Sequence, residues 1–431
     1  MKIVALAQLD DAARQRMLRR ANSRIFDAQI LESARRAIED VQARGDDALL
    51  DYTRRWDGVD LTREQLIVRR DEIAAARGAV TRELQDALTE AIGRSRRFNE
   101  RLLPGNWLVT PEAGITVGVR FTPLEGVGVY VPAGKGAFPS TCVTIVTPAV
   151  VAGVTEIAVL APPRADGRLD PALLVACDLL GIDRIFRCNG VAGIAAFAVG
   201  TDTIPAVPAI VGPGNPYIVA TQLMAQTLGV RMLAMLGPTE AMVLADGDAD
   251  PRRLALDLLN EAEHGQDSAA ILVTDSRTLA ADVARVLPEY LARLPQDRQA
   301  FARAALTDYG GIVLAQSMDA AVDFVNQYAP EHLQIAMRDP QGVLARIRNA
   351  GEILLGQDTP FSAGNYAIGV PAALPTGGAA RTGSGVTALS FLKSSSVASL
   401  DATGLATVRP VVEQLGTYEG FPAHVMAVVE R

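Results

Sequence analysis

Short apolar runs alternate with helical stretches twice along this chain, and that alternation restricts the folds open to it. Residues 126–131, 156–161, 184–188 and 209–211 read as strands, with helices over 171–177 and 218–227. A second series runs from about residue 241 to 355, with a helix around 254–264 and strands at 270–274 and 352–355. Parallel strands need long crossovers, so such alternation implies βαβ units and parallel sheets. The fold class expected is therefore α/β.

The flanks differ. Residues 8–103 carry apolar side chains three and four apart between Arg-rich faces, which predicts solvated, charged helices. Residues 115–119 alternate like a strand, and residues 381–431 are rich in Gly and Ser, then helical, as a docking tail would be. With 41 Lys and Arg against 49 Asp and Glu the formal charge is −8, which argues against broad nucleic-acid or anionic-membrane binding. Cys142, Cys177 and Cys188 lack CxxC spacing, an acid at Asp10 comes too early for a signal peptide, and no apolar run spans a bilayer. A reduced, cytoplasmic enzyme acting on a small molecule is the expectation.

Only three histidines occur, each near an acid: Glu261-Ala262-Glu263-His264, Glu331-His332, and the run from Glu419 to His424. Imidazole titrates near neutrality and is the commonest metal ligand, so the pairing suits chemistry; hydrogen-bonded structural histidines fit residue type equally well. Glu261 and His264 stand three apart, which on one helix face lets a carboxylate and a ring nitrogen converge on a cation. Pro330 restricts Ala329 toward extended backbone, so Glu331-His332 is expected to open a helix, as a proton-transfer pair or as a capping acid beside a packed ring. Glycine-rich loops at 131–137 and 211–216 follow strands; their N–H groups could receive phosphate, or the loops could simply turn the chain.

Taken in order, several segments resemble the histidinol dehydrogenase family over nearly the whole chain. They are Gly128-Val129-Tyr130-Val131-Pro132, Gly212-Pro213-Gly214-Asn215, Gly237-Pro238-Thr239-Glu240, Ala262-Glu263-His264, Ala329-Pro330-Glu331-His332-Leu333, Gly364-Asn365-Tyr366, Leu374-Pro375-Thr376-Gly377-Gly378, and Glu419-Gly420 with His424. The resemblance implies a zinc- and NAD-dependent homodimer with two incomplete Rossmann-like domains, a helical N-terminal region and an interlocking C-terminal tail. It implies an N-terminal arm at 1–27, a metal-bearing unit at 28–125 plus 238–380, an NAD-binding unit at 126–237 and a dimerisation tail at 381–431. An amino alcohol would pass through the aldehyde to the carboxylate, reducing two NAD. His332 would be the general base and Glu331 the group activating water. Zinc would fall to Glu261, His264, Asn365 and His424, the last from the other subunit. Tyr130, Pro132, Pro213 and Asn215 would hold NAD, and Thr239, Glu419 and position 372 would face substrate.

The departures matter as much. The family has glutamine at Glu261 and aspartate at Asn365, so one carboxylate and one amide have exchanged places and the total charge is unchanged. We expect the metal to survive, since carboxylate, amide and imidazole donors suit zinc. Ala372 replaces a substrate-contacting histidine; Val191-Ala192-Gly193 replaces Ala-Gln-Ala, and Thr221-Gln222-Leu223 replaces Ala-Lys-Arg. Losing a polar partner weakens discrimination by a hydrogen-bonding site, which points to a substrate other than histidinol. Histidinol dehydrogenase itself and a redox-inactive metal-binding paralogue are the alternatives.

Overall fold

The computed structural model describes residues 1–19, 25–134 and 136–431. Strand β1 (Ile3–Ala5) opens the chain, and β2 (Trp107–Glu112) and β3 (Ile115–Pro123) form a hairpin. Next come β4 (Gly126–Tyr130), β5 (Glu156–Ala161), β6 (Ile185–Arg187), β7 (Ala209–Val211) and β8 (Arg231–Met232). They are followed by β9 (Glu240–Ala245), β10 (Ala269–Thr274), β11 (Gly311–Leu314), β12 (His332–Ala336), β13 (Glu352–Leu355) and finally β14 (Leu392–Leu400). One parallel sheet is ordered β6-β5-β4-β7-β8 and the other β1-β11-β10-β9-β12-β13. These two sheets are the α/β architecture that the alternation implies.

Both sheets are covered by helices on both faces, which is why their strands are almost wholly apolar. Successive side chains enter opposite cores. Val127 and Val129 of β4 pack with Ile157 and Val159, whereas Tyr130 joins Leu160, Ile194 and Phe197 behind the sheet. In the other sheet Val243 and Leu272 face one core, and Leu244, Val273, Leu333 and Ile335 face the second. Gly128 is dictated by this layering: a Cβ there would lie 2.5 Å from the Phe197 ring.

The N-terminal helices form as their periodicity predicts, but they pack elsewhere than the resemblance suggests. The helix Ala28–Arg44 buries Ile30, Ala34, Ala37, Ile38 and Val41 and packs on Gly190–Val199 and Pro216–Ala225. Arg70–Ala79 packs on Pro171–Leu179, and Arg82–Glu100 on Pro139–Ala152. Residues 28–100 therefore cover the β4–β8 sheet rather than the sheet they were grouped with. Their arginines form exposed pairs such as Arg36–Glu32 and Arg44–Asp40, which solvent screens to little net stability. The arm at 1–27 is not only helical, since β1 extends the six-stranded sheet beside β11; residues 20–24 of that arm lie outside the described residues.

The tail also holds an unexpected strand. β14 pairs antiparallel with β3 from Leu392↔Pro123 to Leu400↔Ile115, then leads into the helices Ala402–Tyr418 and Pro422–Val429. Trp107, Leu108, Val411, Leu415, Tyr418, Phe421 and Met426 are exposed on this projecting unit. Among the described residues, no helix is long and apolar enough to cross a membrane.

Candidate active site

Two strand ends form one wall of the site. β4 and β7 are neighbours, but the connection from β4 runs to β5 on its other side, so a crevice opens beyond their carboxyl ends. In open α/β sheets this switch point is where ligands bind. Tyr130 ends β4 and Pro132 follows it, and Gly212-Pro213-Gly214-Asn215 follows β7. A Cβ on Gly212 would lie 2.2 Å from the Tyr130 carbonyl oxygen, so only glycine lets these loops meet. The Asn215 side chain accepts from the N–H groups of Tyr217 (3.0 Å) and Ile218 (3.2 Å), which caps the helix Pro216–Ala225. Gln222, where the resemblance expects lysine, donates from Nε2 to the Gly212 carbonyl at 2.8 Å and braces the loop from inside. Lys135 of the other glycine-rich loop lies outside the described residues.

The second wall comes from the ends of β9 and β12 and the segments around them. Tyr130, Pro132, Pro213 and Asn215 face Thr239, Glu261, His264, Glu331, His332, Asn365 and Ala372 across one cavity of about 260 Å³. Residues more than 200 positions apart thus share one space. Glu419 and His424 do not line it; they sit on the exposed tail, where the His424 ring lies 5.2 Å from that of Phe421.

Glu331 and His332 differ from the local expectation. They do not open a helix: His332 begins β12, between β9 and β13. Nor is Ala329 extended; it has φ 52 and ψ 66, the left-handed region, and closes the helix Met318–Tyr328 through its N–H to the Val325 carbonyl. Sheet pairing overrides the bias that proline imposes, and the strained alanine lies three residues from His332, as strain at functional sites commonly does. Glu331 Oε2 accepts the Glu240 N–H at 2.8 Å, and Glu331 Oε1 lies 3.7 Å from His332 Nε2.

Burial pushes the Glu331 carboxyl up to about 8, with the charges of Glu240 and Glu261 adding to the effect and His332 and the Glu240 N–H opposing it. Burial pulls the His332 imidazole down, but Glu331, Glu261 and Glu352 outweigh it and, with no cation beside Glu261, raise it to about 10; a divalent ion there would offset that negative field and free Nε2 to accept a proton. An acid whose folded pKa is raised costs stability as pH climbs from its unfolded value toward the folded one. Metal-free Glu331→Gln is therefore expected to melt a few degrees above the metal-free parent near pH 8 and level with it near pH 4. Thermal unfolding at both pH values checks this; an equal or lower melting temperature at pH 8 would contradict it.

Beside this pair, the helix Pro251–Ala262 ends at Glu263, so His264 lies in the turn after it rather than within it. Glu261 is 1% exposed, and its Oε1 accepts the side-chain amides of Asn260 and Asn365, each at 2.7 Å. Its Oε2 faces His264 Nδ1 at 3.4 Å, and that nitrogen is buried without a hydrogen-bond partner among the described residues. Burial raises the Glu261 carboxyl, but His264, His332 and the two amides outweigh it and hold it below the usual range. A buried carboxylate beside an orphaned imidazole nitrogen fits a divalent cation. Among the described residues no three His, Cys, Asp or Glu converge in metal-holding geometry, so the donors within one chain are short of a tetrahedral set.

Glu352 is a further residue of the site, one that no motif in the sequence marks. It heads the apolar strand β13 opposite His332, and its Oε2 lies 2.8 Å from His332 Nδ1. A glutamate at the start of a buried strand was the available signal.

Parallel sheets meeting over a buried acid–imidazole pair, with a switch-point crevice beside it, define an α/β enzyme. The histidinol dehydrogenase family profile matches residues 20–431. Histidinol dehydrogenase of Synechocystis sp. is 43% identical over 432 residues, covering 100% of this chain and 99% of its own. A histidinol dehydrogenase homolog of Colwellia psychrerythraea is 40% identical, covering 99% and 96%. The crystal structure of histidinol dehydrogenase from Elizabethkingia anophelis superposes with a TM-score of 0.93 at 32% identity, covering 99% of this chain and 97% of that one. The chain belongs to the histidinol dehydrogenase family, NAD-dependent oxidoreductases acting on CH–OH groups that use NAD and Zn²⁺.

Proposed function

We propose that this protein is a zinc-assisted, NAD-dependent alcohol dehydrogenase that oxidises a small polar alcohol and carries the aldehyde on to the carboxylate. The observation behind this reading is the single cavity that holds Glu331, His332 and the Glu261–His264–Asn365 donors together with the loops after β4 and β7. His332 Nε2 would take the hydroxyl proton as the carbon gives up its hydride. NAD, when bound, supplies the hydride acceptor, and Tyr130, Pro132, Pro213 and Asn215 at the capped helix start would hold it. Glu331, nearly dry and held by the Glu240 N–H, would draw the proton from the water that adds to the aldehyde. Bound zinc supplies a Lewis acid for the substrate oxygen, and Glu261, His264 and Asn365 would hold it.

Glu419 and His424 would join this site from a second copy, making a homodimer with shared active sites. The exposed apolar side chains along the tail, from Val411 to Met426, support that arrangement. Two substrate readings rest on different observations. Relatives named histidinol dehydrogenase at 43% and 42% identity over at least 90% of this chain favour L-histidinol. Ala372, whose methyl lines the cavity where the resemblance expects a histidine, favours a polar alcohol without an imidazole. Zinc-replete protein with NAD should be offered L-histidinol, other amino alcohols, diols and sulfonated alcohols, with NADH absorbance as the readout. Turnover of one of them supports the reading and names the substrate; no NADH from any would refute it.

A further inference from the structure

We infer that Glu352 is a positioning residue for His332: its carboxylate keeps a proton on Nδ1 and aims Nε2 into the cavity as the base. This rests on His332 acting as the base, but its geometry stands apart from that role. Glu352 Oε2 lies 2.8 Å from Nδ1, both side chains are 4% exposed, and Glu352 does not line the cavity that His332 lines. It can therefore act only through the ring. A carboxylate accepts and does not donate, so the Nδ1 position must carry the hydrogen, which leaves Nε2 facing Glu331.

The arrangement is built rather than incidental. Parallel pairing sets His332 opposite Glu352, and the Glu352 N–H bonds the Glu331 carbonyl at 2.9 Å, so all three residues are locked in one register. The ring of Phe361 meets the imidazole edge-on at 5.9 Å and restricts its rotation. Gly364 makes room for the acid: a Cβ there would lie 2.5 Å from Glu352 Oε1. Glu352 also supplies the negative charge that stabilises the imidazolium formed when His332 takes the proton, the part an aspartate plays in hydrolase triads.

The test uses the zinc-loaded protein. Glu352→Gln is expected to lower kcat about 10²–10⁴-fold, with the KM of the alcohol and the zinc content within about three-fold of the parent. Glu352→Asp, which keeps the charge, should recover at least about ten-fold over Glu352→Gln. Since the chain has three histidines, their ¹⁵N-coupled ring protons can be resolved by NMR and assigned with His332→Gln. A strongly deshielded Nδ1 proton on His332 is expected in the parent without substrate. A parent lacking that proton overturns the inference even if both variants fail to fold, as does Glu352→Gln with unchanged kcat. Turnover surviving in His332→Ala would instead refute the proposed base while leaving the Nδ1 contact intact.

Discussion

His332→Ala is expected to lower kcat for the first oxidation by about 10²–10⁴-fold, the usual contribution of a placed general base. Zinc content by elemental analysis should be unchanged, because Glu261, His264 and Asn365 lie on other segments, and Glu261 contacts both His264 and Asn365. The loss should fall on kcat rather than KM, since a proton acceptor acts in the transition state more than in binding. Turnover within about three-fold of the parent would remove His332 from the chemistry.

The second large effect concerns the metal. Glu261→Gln restores the glutamine the family resemblance expects, yet leaves Asn365 opposite it, so the donors within the chain lose their only carboxylate. Zinc affinity is expected to fall by more than the roughly 10–100-fold seen when an outer-shell partner is lost. Adding Asn365→Asp should recover most of it, because the two side chains touch at 2.7 Å and the second substitution returns the charge to the same few ångströms. A competition titration against a chelator reads both steps. If the double variant binds zinc no better than Glu261→Gln, the two positions do not share the ion and the compensation fails.

Much of this protein was legible before its structure. Strand β9 and its neighbours are apolar on both faces, β4 and β7 end in glycine-rich loops, and the helix Ala28–Arg44 repeats its buried residues every three or four positions. Local periodicity carries that information because burial is decided by which face of an element a residue occupies. Local rules failed at Ala329, where pairing of β12 in the sheet overrode the extended bias before proline and placed His332 on a strand. They failed again at β14, whose exposed serines carry no strand-like alternation and which forms because β3 offers a partner edge.

By itself the sequence determined the α/β class, the three histidines with acids near them, and the exchange of carboxylate and amide between positions 261 and 365. Only the tertiary structure decided which of them meet. Glu352 reaches His332 across neighbouring parallel strands, Asn365 reaches Glu261 from 104 residues away, and the helices after Asp27 settle on the β4–β8 sheet rather than beside β1, which precedes them. The physical reason is that element type follows from short-range steric and hydrophobic periodicity, whereas strand order and register are settled by competition among distant surfaces for burial.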